Sequence, residues 1–176
     1  MTRFFSWAKT HINRIMDEKI IPYVFTLSDS PMLFRDLLRT NKMYQEGLKL
    51  EGNIPGFRFS VGKSYIVFIA LWHIVMLPLA FLFHKALAKI DCHLLIIMAV
   101  VFTGMFFAMY AIFKEYLIDT VAHKILKQGW ENHFPHFDYT LHAKDVAKIY
   151  SEALEKEITH KEMQLYILEK LVEVKK

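Results

Sequence analysis

Two long apolar segments constrain the fold more than any other feature of this chain. Residues 64–83 (SYIVFIALWHIVMLPLAFLF) and 93–113 (HLLIIMAVVFTGMFFAMYAIF) contain no Asp, Glu, Lys or Arg. A helix of about 20 apolar residues spans the ~30 Å hydrocarbon core of a bilayer. In a chain of 176 residues, two such segments leave too little polar sequence to cover them in a soluble fold. The sequence therefore predicts two transmembrane helices.

The composition excludes several other classes of protein. Hydrophobic residues make up 54% of the chain, while it has only 6 glycines and 5 prolines. A disordered or collagen-like chain would show the opposite balance. Cys92 is the single cysteine, so a disulfide scaffold is excluded as well.

The two spans divide the chain into three parts. We expect an all-α protein, built as a two-span transmembrane helical hairpin with amphipathic cytoplasmic helices at both ends. Residues 1–63 would form the N-terminal amphipathic helices, and residues 64–113 would form the hairpin with an outer loop at 84–92. Residues 114–176 would form a helical extension followed by C-terminal amphipathic helices.

The distribution of basic residues predicts the orientation of the hairpin. Ten Lys and Arg residues precede residue 64 and ten follow residue 113, whereas the loop carries only Lys85 and Lys89. Segments rich in Lys and Arg remain on the cytoplasmic side of a membrane. Both termini are therefore expected in the cytoplasm. Because no secretory signal is visible and the cysteine is unpaired, a bacterial inner membrane is the simplest location.

Two helices are predicted before the first span. Residues 4–21 have apolar side chains at helical spacing among basic ones, and this helix should end at Pro22. It would lie on the inner leaflet or pack against the other cytoplasmic helices. Ser30-Pro31 resembles an N-cap followed by a first-turn proline, so a second helix is expected from there to about Leu48.

After the second span, the helix has no breaker before Gly129, which suits the position after a helix end. The aromatic stretch 130–139 would then sit at the level of the lipid headgroups. Residues 159–162 (THKE) match a capping box, so a further helix would begin there. A single helix over residues 141–174 is the alternative.

Polar side chains within the spans are candidates for a functional site. His73 lies at the middle of the first span, and folding the hairpin about position 88 places Thr103 at the same depth. The two would form an interhelical hydrogen bond, or His73 would act in the function directly. Thr103, Tyr110 and Lys114 share one side of the second span. That stripe would line a polar pathway in an oligomer, or supply interface hydrogen bonds and a snorkelling lysine.

Small residues in the second span predict close helix packing. Gly104 and Ala108 form a small-xxx-small pair, and Ala99 with Thr103 repeats the spacing. Such pairs let helix backbones approach closely, within one hairpin or between subunits.

The histidines and acids that follow the second span suggest a metal site as an alternative. Glu115, Asp119 and His123 recur every four residues, and His133 and His136 come next. Imidazole and carboxylate groups are ligands for zinc or iron. Asp119 and His123 are equally an ordinary helical pair.

No catalytic motif stands out, and the mixed charge of the N-terminal tail gives no reason to expect nucleic-acid binding. We expect a non-enzymatic protein that needs no cofactor and assembles in the lipid bilayer as a homo-oligomeric pore or channel for ion transport. One alternative is a membrane-anchored subunit or regulator that holds a protein partner at the cytoplasmic helices. The other is a metal-dependent membrane enzyme that uses zinc or iron at the cytoplasmic histidines.

Overall fold

The computed structural model describes residues 10–11, 13–28, 30–48, 50, 54–87 and 91–174. Within these residues the chain is mostly helical, which confirms the coarse prediction of an all-α protein. Residue contacts divide the chain into two compact units. The span unit takes its described residues from Met1–Phe25 and Ser60–Leu117, and the core unit takes them from Thr26–Phe59 and Ile118–Lys176.

The N-terminal helix does not end at Pro22 as predicted. A π-helical turn, Met16–Ile20, leads into α1 (Ile21–Val24), which contains the proline. The amide of Ile21 donates to the carbonyl of Met16, five residues back. This wider turn accommodates a proline ring that would clash with a carbonyl four residues back in a regular helix. Residues 4–9 and 12 of the predicted amphipathic stretch 4–21 lie outside the described residues.

Two short strands interrupt the helical pattern and were not predicted. β1 (Phe25–Leu27) pairs with β2 (Phe57–Phe59) in a two-stranded sheet. The turn before β2 depends on Gly56, whose φ is +72°. A Cβ atom at this glycine would lie 2.6 Å from Cβ of Ser28, so no larger residue fits.

The next helix, α2, covers Phe34–Gln45 and has Leu33 as its N-cap. The predicted start at Ser30-Pro31 is therefore wrong by three residues. The carbonyl of Met32 accepts a hydrogen bond of 2.8 Å from Nε2 of His133, a residue distant in sequence. This contact between distant residues lies next to Leu33, whose own backbone is extended, and it outweighs the local capping signal.

Two helices are long and apolar enough to cross a membrane: Val61–Phe83 and His93–His133. They belong to α3 (Val61–Leu87) and α4 (Cys92–His133). Most of their large apolar side chains within residues 64–83 and 93–113 are exposed; Phe81, for example, is 79% exposed. Soluble proteins rarely expose so continuous an apolar surface, and this indicates a membrane protein.

Helix α4 ends at His133 and not before Gly129, which corrects the predicted boundary. Gly129 instead allows α4 to approach Leu37 of α2 closely within the core unit. A Cβ atom at this position would lie 3.3 Å from Cδ1 of Leu37 and 3.5 Å from Cβ of Met32. The glycine is thus a packing residue inside a helix of 42 residues, about 63 Å long.

The C-terminal segment forms two helices, α5 (Tyr139–Glu155) and α6 (His160–Val174). The side chain of Asp138 caps α5 by accepting a 2.8 Å hydrogen bond from the amide of Thr140. Helix α5 ends where Glu157 adopts a φ of +55°, a left-handed conformation. The prediction of a new helix near residue 159 is confirmed, and the single-helix alternative is wrong.

The hydrophobic interior of the core unit lies where α2 and α6 pack on α5. Trp130 and Phe134 are each 1% exposed, and Tyr139 is buried beside them. The indole Nε1 of Trp130 donates to the carbonyl of Phe137 at 2.7 Å, which satisfies its polar group inside the core. These aromatic side chains therefore face a protein core, and the prediction that they lie at the lipid headgroups is wrong.

Candidate functional site

Aromatic rings connect α3 to α4 in the span unit. The ring centroids of Phe68 and Phe106 are 5.2 Å apart, and those of Trp72 and Phe102 are also 5.2 Å apart. Residue numbers rise along α3 as they fall along α4, so the two helices run antiparallel over this stretch. Tyr110 joins the same cluster, with its ring centroid 5.4 Å from that of Phe68. Such pairs stabilise packing beyond the area they bury.

The Tyr110 hydroxyl of the predicted polar stripe is held inside this packed face. Ser64 Oγ donates to the carbonyl oxygen of Val61 at 2.8 Å and lies 3.0 Å from Tyr110 Oη. Because the only hydroxyl proton of Ser64 is used for Val61, Tyr110 is the donor in the contact with Ser64. A longer contact of 3.3 Å also joins Tyr110 Oη to the carbonyl of Val61. The three groups form a polar connection between α3 and α4.

His73 and Thr103 bond within their own helices and not to each other. Nδ1 of His73 donates to the carbonyl of Ile69 at 2.8 Å, which places the proton on that nitrogen. Oγ1 of Thr103 donates to the carbonyl of Ala99 at 2.8 Å. Both side chains are exposed in the span unit, and Lys114 is half-buried.

The small residues of α4 lie on two different sides of the helix. At about 100° per residue, Ala99 shares the side of Phe106, the side that contacts α3. Gly104 and Ala108 lie on the opposite side, about 160° from Phe106 in either direction. A Cβ atom at Gly104 would meet no atom of the described residues within 4 Å. The small-xxx-small pair is therefore unfilled, and we call it the Gly104 face.

In the core unit, Asp119 and His123 belong to an aromatic cluster. The ring of His123 lies 6.0 Å from that of Tyr44 and 5.4 Å from that of Tyr139. Burial, and then the neighbouring Asp119 carboxylate, raise the pKa of the Tyr44 hydroxyl. Sequence reasoning missed both tyrosines, since neither shares a motif with the acid or the histidine.

The other predicted metal ligands do not join that cluster. His133 is engaged by the carbonyl of Met32, while His136 and Glu115 are exposed. Among the described residues, no three His, Cys, Asp or Glu side chains are arranged to hold a metal ion. The geometry therefore adds no support to a zinc or iron site, and that site stays a prediction.

Two buried polar atoms lack a partner within the described part of the chain. Asn41 Nδ2 donates to the carbonyl of Ala143 at 2.8 Å, but Asn41 Oδ1 accepts no hydrogen bond. The Tyr139 hydroxyl is also unpartnered, since the neighbouring Gln45 side chain does not reach hydrogen-bond geometry. Burial raises the pKa of Tyr139 far above its ordinary value. An asparagine within the apolar stripe of α2 was the available sequence signal.

Comparison of the chain with protein-family models, with curated proteins and with solved structures finds no match. The class of protein therefore follows from the fold and its residues alone. It is a mostly helical protein with two helices suited to crossing a membrane.

Proposed function

We propose that this protein is an integral membrane protein that self-associates in the bilayer through the Gly104 face of α4. The observation that carries the proposal is the open space at Gly104, on the side of α4 turned away from α3. The aromatic contacts of the hairpin already occupy the other side. In lipid, an unfilled face of small residues gains contacts only when another helix packs against it.

A second copy of this chain is the expected occupant of the Gly104 face. The small residues let a helix of the next copy approach closely, and such a head-to-tail contact, repeated around an axis, closes into a ring. Ala111 extends the face by one further turn, since it lies about 140° from Phe106 on the same side as Gly104. A closed homo-oligomer would bury this surface without requiring any other partner.

The assembly would enclose a polar pathway lined by Thr103 and Lys114. These residues lie about 60° and 80° from Phe106, roughly a quarter turn from the Gly104 face. In a ring of helices, the side that meets a neighbour and the side that meets the central axis are separated by a similar angle. Tyr110 would support the hairpin, because its hydroxyl is bonded to Ser64.

The membrane location follows from charge. We place both termini in the cytoplasm of a bacterium and the loop 84–92 outside the inner membrane, because the loop carries two of the 22 Lys and Arg residues. The single cysteine, Cys92, allows a direct test. A membrane-impermeant maleimide should label it in intact cells. In a Cys92→Ser/Glu155→Cys variant, labelling should require permeabilised cells; the reverse pattern would invert the topology.

Self-association can be measured by energy transfer between labelled copies in liposomes at several protein-to-lipid ratios. Gly104→Leu should weaken association by about tenfold or more, since a large side chain separates the two backbones. Ala80→Leu makes a similar small-to-large change at an exposed position of α3 and should leave association unchanged. Equal affinities for Gly104→Leu and the unmodified protein would overturn this interface.

Ion flux through reconstituted liposomes tests the pore separately. Lys114→Gln should change the preference between anions and cations, because it removes one positive charge per subunit from the pathway. Thr103→Val removes the hydroxyl at constant shape and should lower conductance. Discrete multimers that carry no current would eliminate the pore and leave self-association standing.

A membrane-anchored subunit or regulator is the second candidate. Four large apolar side chains on α5 and α6 are more than two-fifths exposed: Leu141, Leu154, Leu165 and Val172. A protein partner that covers these side chains would remove their apolar surface from water. Co-purification of a stoichiometric partner, lost in Leu165→Glu and retained in Gly104→Leu, would favour this function.

The metal-dependent enzyme remains the third candidate, carried by the sequence pattern alone. This function requires that zinc or iron co-purifies with the chain. The metal content should then be lower in His123→Ala or His136→Ala. Unchanged metal content in both variants would remove it.

A further inference from the structure

A cavity of about 410 Å³ opens in the core unit between the start of α2, the C-terminal part of α5 and the start of α6. Its apolar wall includes Phe34, Leu38 and Met163, and its polar wall includes Arg35, Tyr150 and Lys161. The volume falls at the lower end of the ~300–1,000 Å³ typical of small-molecule sites. None of these residues belongs to the Gly104 face or to the proposed pathway.

Tyr150 is the residue that points to a ligand. It is only 8% exposed, and it lines the cavity. Its hydroxyl forms no hydrogen bond to any other residue that the structure describes. The hydroxyl oxygen itself is not among the fully buried polar atoms, so it is open to the cavity, where a ligand group that accepts its proton would gain a hydrogen bond.

Burial raises the pKa of the Tyr150 hydroxyl, and the charges of Arg39 and Arg35 act in the opposite direction. The phenol is therefore protonated at neutral pH and serves as a hydrogen-bond donor. Arg35, whose side chain is 64% exposed, has its Nε 3.6 Å from the Asp36 carboxylate, so part of its charge is already compensated. Its remaining N–H groups can still reach a ligand at the mouth of the cavity.

The start of α6 adds further positive potential. This helix has 15 residues and begins at His160, and α2, with 12 residues, begins at Phe34. Helix N-termini carry partial positive charge and favour anions. Lys161 adds a full charge beside them. The one acid in the first turn of α6, Glu162, is engaged by the hydroxyl of Thr159 at 2.9 Å.

We infer that this cavity binds a small amphipathic anion, namely a phosphate monoester that carries a short apolar group. The phosphate would accept hydrogen bonds from Tyr150 and from the side chains of Arg35 and Lys161. The apolar group would lie against Leu38 and Met163. A phosphate suits the site because it offers several acceptor oxygens to donors on three different elements. The source is a lipid headgroup or a soluble phosphomonoester, which share this chemistry.

The test uses the full chain in phosphatidylcholine nanodiscs and follows the ¹³C-methyl resonance of Met163, assigned with Met163→Leu. Three probes separate the contributions of charge and apolar surface: octyl phosphate, inorganic phosphate and 1-octanol. Octyl phosphate should shift the resonance until the shift saturates. It should bind with higher affinity than inorganic phosphate or 1-octanol. Saturation by inorganic phosphate with equal affinity would also support the anion site, and would identify a soluble phosphate as the ligand.

Variants assign the binding to these residues. Tyr150→Phe should weaken octyl phosphate binding about tenfold, as expected for one hydrogen bond to a charged group. Lys161→Gln should weaken it several-fold and reduce its salt dependence. Tyr139→Phe also deletes a buried hydroxyl of α5, and Lys148→Gln also deletes a lysine, but neither residue lines the cavity. Both controls should bind as the unmodified protein does.

Two results would overturn the inference. If 1-octanol bound as tightly as octyl phosphate, the cavity would recognise apolar surface and not an anion. If Tyr150→Phe and Lys161→Gln bound octyl phosphate with unchanged affinity, the anion would be held elsewhere. Lys161 is exposed, so its variant keeps the test valid even where Tyr150→Phe perturbs the fold.

Discussion

The hydroxyl groups of Ser64 and Tyr110 lie 3.0 Å apart and join α3 to α4. Ser64 is fully buried, although it stands at the start of a long apolar segment. Its proton goes to the carbonyl of Val61, so Tyr110 supplies the proton that links the helices. The contact fixes which residues of the two helices lie side by side, because aromatic rings alone can slide past one another.

Tyr110→Phe should lower the free energy of unfolding in detergent or bicelles by about 0.5–1.5 kcal/mol. The substitution keeps the ring and its contact with Phe68, and it removes only the hydroxyl. Double-mutant cycles for hydrogen bonds in membranes average about 0.6 kcal/mol, so the coupling with Ser64→Ala should be of that order. Steric-trap unfolding of the full chain measures both quantities.

Tyr65→Phe is the matched control for that experiment. Its ring also contacts Tyr110, at 5.2 Å, but no hydrogen bond of its hydroxyl occurs within the described residues. Stability should therefore stay within about 0.5 kcal/mol of the unmodified protein. Equal effects of Tyr65→Phe and Tyr110→Phe would show that the hydrogen bond does not connect the helices.

Tyr139→Phe should stabilise the core unit by about 1 kcal/mol. The Tyr139 hydroxyl is buried without a hydrogen-bond partner, so the folded state bears its desolvation cost. Phenylalanine keeps the ring contacts with Trp130 and His123 and removes that cost. Thermal unfolding followed by circular dichroism would show a higher Tm. A loss of stability would mean that the hydroxyl binds ordered water in the native protein.

Stability should decrease at alkaline pH because of the same tyrosine. Burial raises the pKa of Tyr139, as it raises those of Tyr44 and Tyr150. The unfolded chain loses its tyrosine protons near pH 10, while the folded chain retains them. The stabilisation is therefore complete below about pH 10 and is lost as the pH rises toward the folded pKa. Each such tyrosine lowers the free energy of unfolding by about 1.4 kcal/mol per pH unit in that window.

Unfolding between pH 9 and 12 measures this dependence. The fall in the free energy of unfolding should be smaller in Tyr139→Phe than in the unmodified protein, by up to the contribution of one tyrosine. Tyr23→Phe removes an exposed tyrosine and serves as the control. An identical pH profile for all three proteins would contradict the assignment to Tyr139.

The spans could be predicted from the sequence because length and absence of charge decide them locally. The start of α2 could not be predicted in this way, because the carbonyl of Met32 accepts a hydrogen bond from His133, which is 101 residues away in the sequence. The end of α4 depends in the same way on contact between Gly129 and Leu37. In each case a local capping signal was present, and a contact between distant residues had the larger effect.

The candidate site was less predictable because it depends on how α3 and α4 align. Folding about position 88 would bring Trp72 against Gly104, but Trp72 contacts Phe102 and Phe106. Phe102 and Phe106 flank Gly104 by two residues on either side, so the depth agrees with folding about position 88. Two residues along a helix correspond to a rotation of about 200°, however, so the side of α4 that carries the two phenylalanines faces α3 and the side that carries Gly104 does not. Gly104 consequently lies on the outer side of α4, and Thr103 bonds within its own helix.

Gly129→Val should destabilise the core unit by about 1–3 kcal/mol. Its Cβ atom would lie 3.3 Å from Cδ1 of Leu37, a fully buried side chain with little room to move. Gly62→Val makes the same change in α3, where a Cβ atom would meet no described residue within 4 Å, so it should destabilise the protein less. Denaturant unfolding of the two variants compares them directly. If Gly129→Val were as stable as Gly62→Val, the Leu37 side chain would be able to move aside at little energetic cost.

His73→Leu should leave the stability of the span unit unchanged or raise it by a few tenths of a kcal/mol. The Nδ1–H group bonds to Ile69 in the same helix, so its loss breaks no connection to α4. Leucine is also favoured over histidine in the hydrocarbon core. Steric-trap unfolding at low protein-to-lipid ratio tests this prediction for the single chain. A loss above about 1 kcal/mol that appears only at high protein-to-lipid ratio would instead identify His73 as a contact between subunits.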